Sequence, residues 1–181
     1  MGKGSLESRR VRLRALEPND APALFEAVRA SRDPLKRRLS WVSSVGSVED
    51  ERRFIEEAAR DGARFVRGVF DIRSDLLIGT ASLEEMEAPS ASRARLALWV
   101  AEERRDKGLG SEAARLLVEH AFRRLNLHRL FARVDPANRA YRRVLKKIGF
   151  KYEGCLRADR RLNGRWIDQE CWGLLRGEWK R

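Results

Sequence analysis

Leu96-Ala97-Leu98-Trp99-Val100-Ala101-Glu102-Glu103-Arg104-Arg105-Asp106-Lys107-Gly108-Leu109-Gly110-Ser111 is the stretch that decides the fold. Its apolar opening reads as a buried strand, and its basic, glycine-containing second half reads as a loop. From Glu112 onward, Ala114, Leu117, Val118, Ala121 and Leu125 recur at helical spacing. Strand, glycine loop and helix in succession present bare backbone N–H groups to a phosphate. The helix N-terminus adds about half a positive charge to them. Arg104, Arg105 and Lys107 bring full charges to the same mouth. The spacing is that of neither common nucleotide loop. A P-loop requires Gly-x-x-x-x-Gly-Lys-Ser/Thr, and a dinucleotide loop requires a third glycine where Ala113 stands. A plain strand-to-helix turn fits this segment as well when it is taken alone.

Working outward, Val11-Arg12-Leu13-Arg14 alternates as a strand with one wet face. Asn19-Asp20 precedes a helix over Pro22 to Ala30, which Asp33-Pro34 breaks. Ser47 caps a second helix, with Glu49, Asp50 and Glu51 in the first turn, where acidic groups suit the dipole. Phe54, Ile55, Ala58 and Ala59 form its apolar stripe, and Gly62 closes it. Strands follow at Arg64 to Phe70, Leu76 to Glu85 and Leu96 to Val100, the last leading into the glycine loop and its helix. After them come a strand over His128 to Val134 and a short helix ending at Gly149. A terminal hairpin from Phe150 to Leu175 turns at Asn163-Gly164. The pattern predicts an α/β (α+β) domain, a mixed sheet flanked by helices, with no internal repeat or linker.

With 181 residues, 43% hydrophobic and 36% charged, the chain reads as one soluble domain over 9–181 behind a flexible arm over 1–8. No apolar run approaches the roughly 20 residues that span a bilayer, and no signal peptide is expected. The two cysteines, Cys155 and Cys171, flank the hairpin turn. In an unbulged register they face opposite sides of the sheet, so they read as free thiols of a reducing cytoplasm. The formal net charge is +12, and only seven of the 39 basic residues are lysine. That balance suits polyanionic partners, ribosome or nucleic acid among them, and equally suits an arginine-rich solvated surface. His120 and His128 have no carboxylate or cysteine partner in the pattern and read as structural, so no metal is expected.

Arg105-x-x-Gly108-x-Gly110 resembles the pyrophosphate-binding loop of the GCN5-related N-acetyltransferases (GNAT). Further on come Pro136-Ala137-Asn138 with Tyr141, Leu145-Lys146-Lys147-Ile148-Gly149-Phe150, Glu153-Gly154 and Leu156-Arg157. Asn163-Gly164-Arg165, Asp168 and Glu178-Trp179 complete the series. This order is similar to the RimJ/RimL branch, the ribosomal-protein N-terminal acetyltransferases. Leu39-Ser40-Trp41 and the Ser47 helix resemble that branch's substrate-side loop and helix, so the likeness runs from Val11 to Trp179. It implies the GNAT fold, a twisted, mostly antiparallel sheet with a C-terminal hairpin. It also implies acetyl-coenzyme A as co-substrate and a primary amine as acceptor, most of all a protein N-terminal α-amino group. A small amine (a polyamine or an aminoglycoside) is the rival acceptor. A non-catalytic basic module that binds ribosome or nucleic acid is the rival class, and a homodimer is compatible with either.

The resemblance assigns the cofactor to Trp99, Val100, Arg104, Arg105, Lys107, Gly108, Leu109, Gly110, Ser111 and Asn138. Trp99 and Val100 would offer backbone groups to the pantetheine arm. Asn138 would bind the same arm, although its position also suits a helix cap. Where many members have a proton-donating Tyr, this chain has Leu145. Tyr141 lies one turn earlier, on the same helix face, and is the expected donor to the leaving thiolate, or else an aromatic core residue. Glu85, then Glu87, is the expected base, against the plainer reading of a solvated acidic turn before Pro89. Arg95 occupies a strand position where the branch often has Glu, which removes one base.

Overall fold

The computed structural model describes residues 4–87 and 92–180. The turn at Pro89 and the first three residues of the expected arm lie outside them. Among the described residues, eight strands form one sheet: β1 (Leu6–Glu7), β2 (Val11–Arg14), β3 (Phe65–Asp71), β4 (Leu76–Glu87), β5 (Arg93–Val100), β6 (Arg129–Val134), β7 (Lys151–Leu162) and β8 (Arg165–Leu175). Their spatial order is β1-β2-β3-β4-β5-β6-β8-β7, and only β5 and β6 run parallel. Within the stretch read as an arm, Leu6 and Glu7 pair with Leu13 and Arg12. The helices are α1 (Ala21–Ala30), α2 (Arg32–Lys36), α3 (Val48–Arg60), α4 (Leu109–Arg123) and α5 (Arg139–Lys147).

Alternation along the strands divides the apolar residues between two faces. On one face Val69, Ile78, Leu83 and Leu96 pack with Ala114, Leu117, Val118 and Ala121 of α4. On the other, Phe70 and Leu77 pack with Leu24 of α1 and Ile55 of α3. Ser47 begins α3 with reciprocal bonds: its hydroxyl accepts from Asp50 N at 3.3 Å, and Asp50 Oδ2 accepts from Ser47 N at 2.8 Å.

Two local expectations are corrected. Helix α1 ends at Ala30 as expected, but Pro34 is not what breaks it. It lies in the first turn of α2, where its missing N–H has no intrahelical acceptor to lose. Asp20 precedes α1 but makes no side-chain cap. Its carboxylate is taken by two 2.7 Å bonds from Arg14 and one of 2.8 Å from Glu17 N. The terminal hairpin turns at Asn163-Gly164 as expected, with φ of 49° and 81°. Bulges in β7 shift the register, so that Cys155 pairs with Glu170 and Gly154 with Cys171, and the two thiols remain free and on opposite faces as expected.

The parallel β5–β6 pairing is what shapes the site. It runs only from Arg93↔Arg129 to Arg95↔Phe131. Beyond Arg95, β5 keeps its bonds to β4 through Val100. Its other edge, from Leu96 onward, is left unpaired by β6, and α4 begins just past the opening.

Candidate active site

A cleft of about 330 Å³ occupies the opening between the splayed strands. Its wall includes Leu98, Trp99 and Val100 of β5, the loop residues Arg104 and Arg105, and Gly108 to Ser111 at the start of α4. Asn138 and Tyr141 close it from the α5 side. Ten sequence-predicted residues therefore converge on one cleft. Lys107 does not line it: its carbonyl instead accepts a 2.9 Å bond from Arg10.

Gly108 is the residue before α4, with φ 79°, a left-handed conformation that glycine adopts without strain. The first intrahelical bond runs from Glu112 N to Gly108 O, so the amides of Leu109, Gly110 and Ser111 have no acceptor inside the helix. A Cβ on Gly110 would stand 3.6 Å from Leu98 and from Val100, so the bare backbone faces β5 across the cleft. Arg38, Arg104, Arg105, Arg143 and Lys147 line the same space against the single carboxylate of Asp106. Free amides, a helix N-terminus and five cations fit a diphosphate-bearing group such as coenzyme A.

Tyr141 is placed by its helix and by its hydroxyl. Asn138 Oδ1 caps α5 by accepting from Tyr141 N at 3.2 Å, and Tyr141 Oη donates to the Leu96 carbonyl at 2.8 Å. That carbonyl is the first one β6 no longer covers. Burial holds the phenol above its ordinary value of 10.0, so it carries its proton throughout the neutral range. Leu145, one turn on, is fully buried.

Leu39, Leu98 and Trp99 also line a second cavity, of about 530 Å³, on the side of α3. Its charged wall is mostly acidic: Asp50, Glu51, Glu57 and Glu84, with Arg53 and Arg64. Trp41 closes it from the α2–α3 loop, its ring 6.1 Å from that of Trp99. The tip of the β7–β8 hairpin steadies the preceding segment, with Arg160 donating to the Arg38 carbonyl at 2.6 Å and Asn163 to the Lys36 carbonyl at 3.1 Å.

Glu85 and Glu87 line neither of these cavities. A register shift between Glu84 and Glu87, with Glu85 at φ 50°, interrupts the expected alternation. Arg95 Nε donates to Glu85 at 2.6 Å, and Arg93 Nη2 donates to Glu87 at 2.7 Å, holding the Glu87 carboxyl below its usual range. Glu84 is the one that reaches the cavity. It accepts from Ser82 Oγ at 2.7 Å and is also bonded by Arg95.

Sequence reasoning missed Glu51. Its side chain is 3% exposed, and Oε1 has no hydrogen-bond partner among the described residues. Burial, with the Asp50 carboxylate beside it, pushes its carboxyl up to about 7. The signal was present: Glu51, Phe54, Ile55 and Ala58 stand at i, i+3, i+4 and i+7, so the apolar stripe of α3 begins with a carboxylate. His120 is half-buried against Phe65, ring centres 4.5 Å apart, with partial burial lowering its pKa.

Residues 10–151 match the acetyltransferase (GNAT) domain family. The chain is 31% identical over 174 residues to the probable N-acetyltransferase YjcK of Bacillus subtilis (strain 168), covering 94% of this chain and 96% of that one. It is 27% identical to the ribosomal-protein-serine acetyltransferase of Escherichia coli (strain K12), covering 89% and 90%. Among solved structures, a probable acetyltransferase superposes with a TM-score of 0.90 at 28% identity, over 98% of this chain and 100% of that one. RimL, the ribosomal L7/L12 alpha-N-protein acetyltransferase in complex with coenzyme A, shares the fold with a TM-score of 0.89 at 24% identity, over 95% and 98%. The sheet that splays beside a glycine-led helix is thus the scaffold of a known group of enzymes, and the chain belongs to the GNAT family as an N-acetyltransferase.

Proposed function

We propose that the protein transfers an acetyl group from acetyl-coenzyme A to the α-amino group of a protein N-terminus. One observation carries this reading: a basic cleft and an acidic cavity meet at Leu39, Leu98 and Trp99, beside the Tyr141 hydroxyl. The cleft suits a polyanionic thioester, and the cavity suits a cationic amine. Relatives named as ribosomal-protein-serine acetyltransferase and uS5-alanine N-acetyltransferase support a protein N-terminus as the acceptor.

In this reading the amides of Leu109, Gly110 and Ser111, with Arg104 and Arg105, hold the diphosphate. The free edge of Trp99 and Val100, with Asn138 Nδ2, orients the pantetheine arm. Oδ1 of Asn138 is committed to the cap, so only the amide nitrogen is free for that task. Tyr141 supplies the proton that the departing sulfur needs. A phenol near 10 or above stays protonated at pH 7 and is a weaker acid than a thiol near 8.5. Its transfer therefore depends on the sulfur leaving as a thiolate within reach of Tyr141 Oη.

The test is a melting-temperature shift with acetyl-coenzyme A, followed by a thiol-release screen over N-terminal peptides, lysine peptides, polyamines and aminoglycosides. A rise in melting temperature and release on free N-termini support the proposal. An unchanged melt at saturating acetyl-coenzyme A refutes it, and release confined to polyamines or aminoglycosides refutes the choice of acceptor.

A further inference from the structure

Glu51 stands where an amphipathic helix ordinarily places an apolar side chain. A first-turn interaction with the α3 dipole accounts for Glu49 and Asp50 without burial. It does not account for a carboxylate that is 3% exposed, carries an unpartnered oxygen and lines the acceptor-side cavity. A buried, unpaired carboxylate is costly, and it is retained where something is to meet it.

The other carboxylates of that cavity are either paired or exposed. Asp50 accepts from Gly46 N at 2.9 Å and Ser47 N at 2.8 Å, and also pairs with Arg53; the cap bonds hold it below the ordinary range. Glu84, from β4, is taken by Ser82 and by Arg95 of β5. Glu57 is exposed. Arg64, entering from the turn before β3, is paired with Asp61 at 2.5 Å.

Resting on the acetyl-transfer reading above, we propose that Glu51 is the proton acceptor for the incoming amine. The ammonium group gives one proton to the Glu51 carboxylate, leaving a neutral amine and a carboxylic acid. The nitrogen lone pair forms the C–N bond to the thioester carbonyl carbon as the C–S bond breaks. The sulfur leaves with the C–S electron pair and takes the Tyr141 proton. The second nitrogen proton is lost as the amide forms and restores the phenol. Glu51 then releases its proton to water, so one proton appears in solution for each acetyl group transferred.

The experiment measures kcat/KM against pH, from 5.5 to 9, for the parent, Glu51→Gln and Glu51→Asp. The acceptor is a peptide with a free N-terminal serine, and the acetyl-coenzyme A melting shift serves as the control for fold and cofactor. The parent is expected to gain activity as pH rises through about 7, where Glu51 ionises, and to gain nothing more from Glu51 above about 8, where the amine has already lost its proton. Glu51→Gln should keep the melting shift, lose about 100-fold in kcat/KM and lose only the lower limb. Glu51→Asp should retain that limb with partial activity. A Glu51→Gln rate within about threefold of the parent, with the limb intact, overturns the proposal. So does a Glu51→Asp profile lacking the limb. A parent with no melting shift refutes the acetyl-transfer reading itself.

Discussion

Replacing Glu51 by Gln removes a buried ionisation while preserving shape, so it separates charge from packing. The unfolded carboxyl titrates near 4.5 and the folded one near 7. Between these values the folded state binds more protons than the unfolded state, so stability falls as pH rises, and above about 7 the loss is complete. A shift of that size corresponds to about 3 kcal/mol, of which about 2.5 kcal/mol falls between pH 5 and pH 8.5. Glutamine carries no such dependence. The Glu51→Gln protein should therefore gain about 2.5 kcal/mol relative to the parent between those pH values, whatever its packing offset. For a chain of this length that is roughly 5–10 °C in melting temperature. Urea unfolding of both proteins at pH 5 and pH 8.5 measures it directly. A stability difference equal at the two pH values would refute the assignment of a neutral, buried carboxyl to Glu51.

Other outcomes follow from the same geometry. Gly110→Arg should abolish the melting shift with acetyl-coenzyme A while leaving the apoprotein folded, because a Cβ there finds only ordinary contacts and the longer chain enters the cleft. Tyr141→Phe should lower kcat with little change in cofactor affinity, since the ring stays packed and only the hydroxyl on the Leu96 carbonyl is lost; an unchanged kcat argues against the proton donor. Asn138→Ala should cost about 1 kcal/mol of stability through the lost cap and should also weaken cofactor binding, as urea unfolding and calorimetry would record.

The sheet, the Ser47-capped helix and the glycine-led helix were legible because each is written in local terms. Ser47 and Asp50 are three residues apart, Asn163-Gly164 is a two-residue turn, and the α4 stripe repeats every three or four positions. The cofactor cleft was legible for a similar reason, since most of its wall comes from one stretch, 98–111, and one helix start. What was missed depends on pairing and on three-dimensional burial. The β7 register turns on bulges, and the commitment of Asp20 depends on Arg14 lying across from it. The acceptor side was the hardest to read. Its carboxylates come from α3 and β4, and whether Glu84, Glu85 or Glu87 reaches the cavity is decided by one irregularity in the β4–β5 ladder. Glu51 was masked by its neighbours: next to Glu49 and Asp50 it reads as dipole chemistry, and only the 3.6-residue period distinguishes it.

The opposed charges of the two cavities also raise a difficulty that the arginines resolve. A wall of carboxylates attracts an ammonium ion, but it also stabilises the protonated amine, which is the form that cannot attack a thioester. Arg53 paired with Asp50, and Arg95 paired with Glu84, cancel much of that stabilisation while leaving the hydrogen-bonding oxygens in place. Glu51 lacks such a partner and is governed by desolvation instead, so its charge comes and goes near neutral pH. Once it has taken the proton, the buried unpaired negative charge of the cavity is gone, and with it one reason for the amine to stay protonated. The formal charge of +12 has no bearing on this step. Acceptor chemistry is set by the few carboxylates that face the amine and by which of them an arginine already holds.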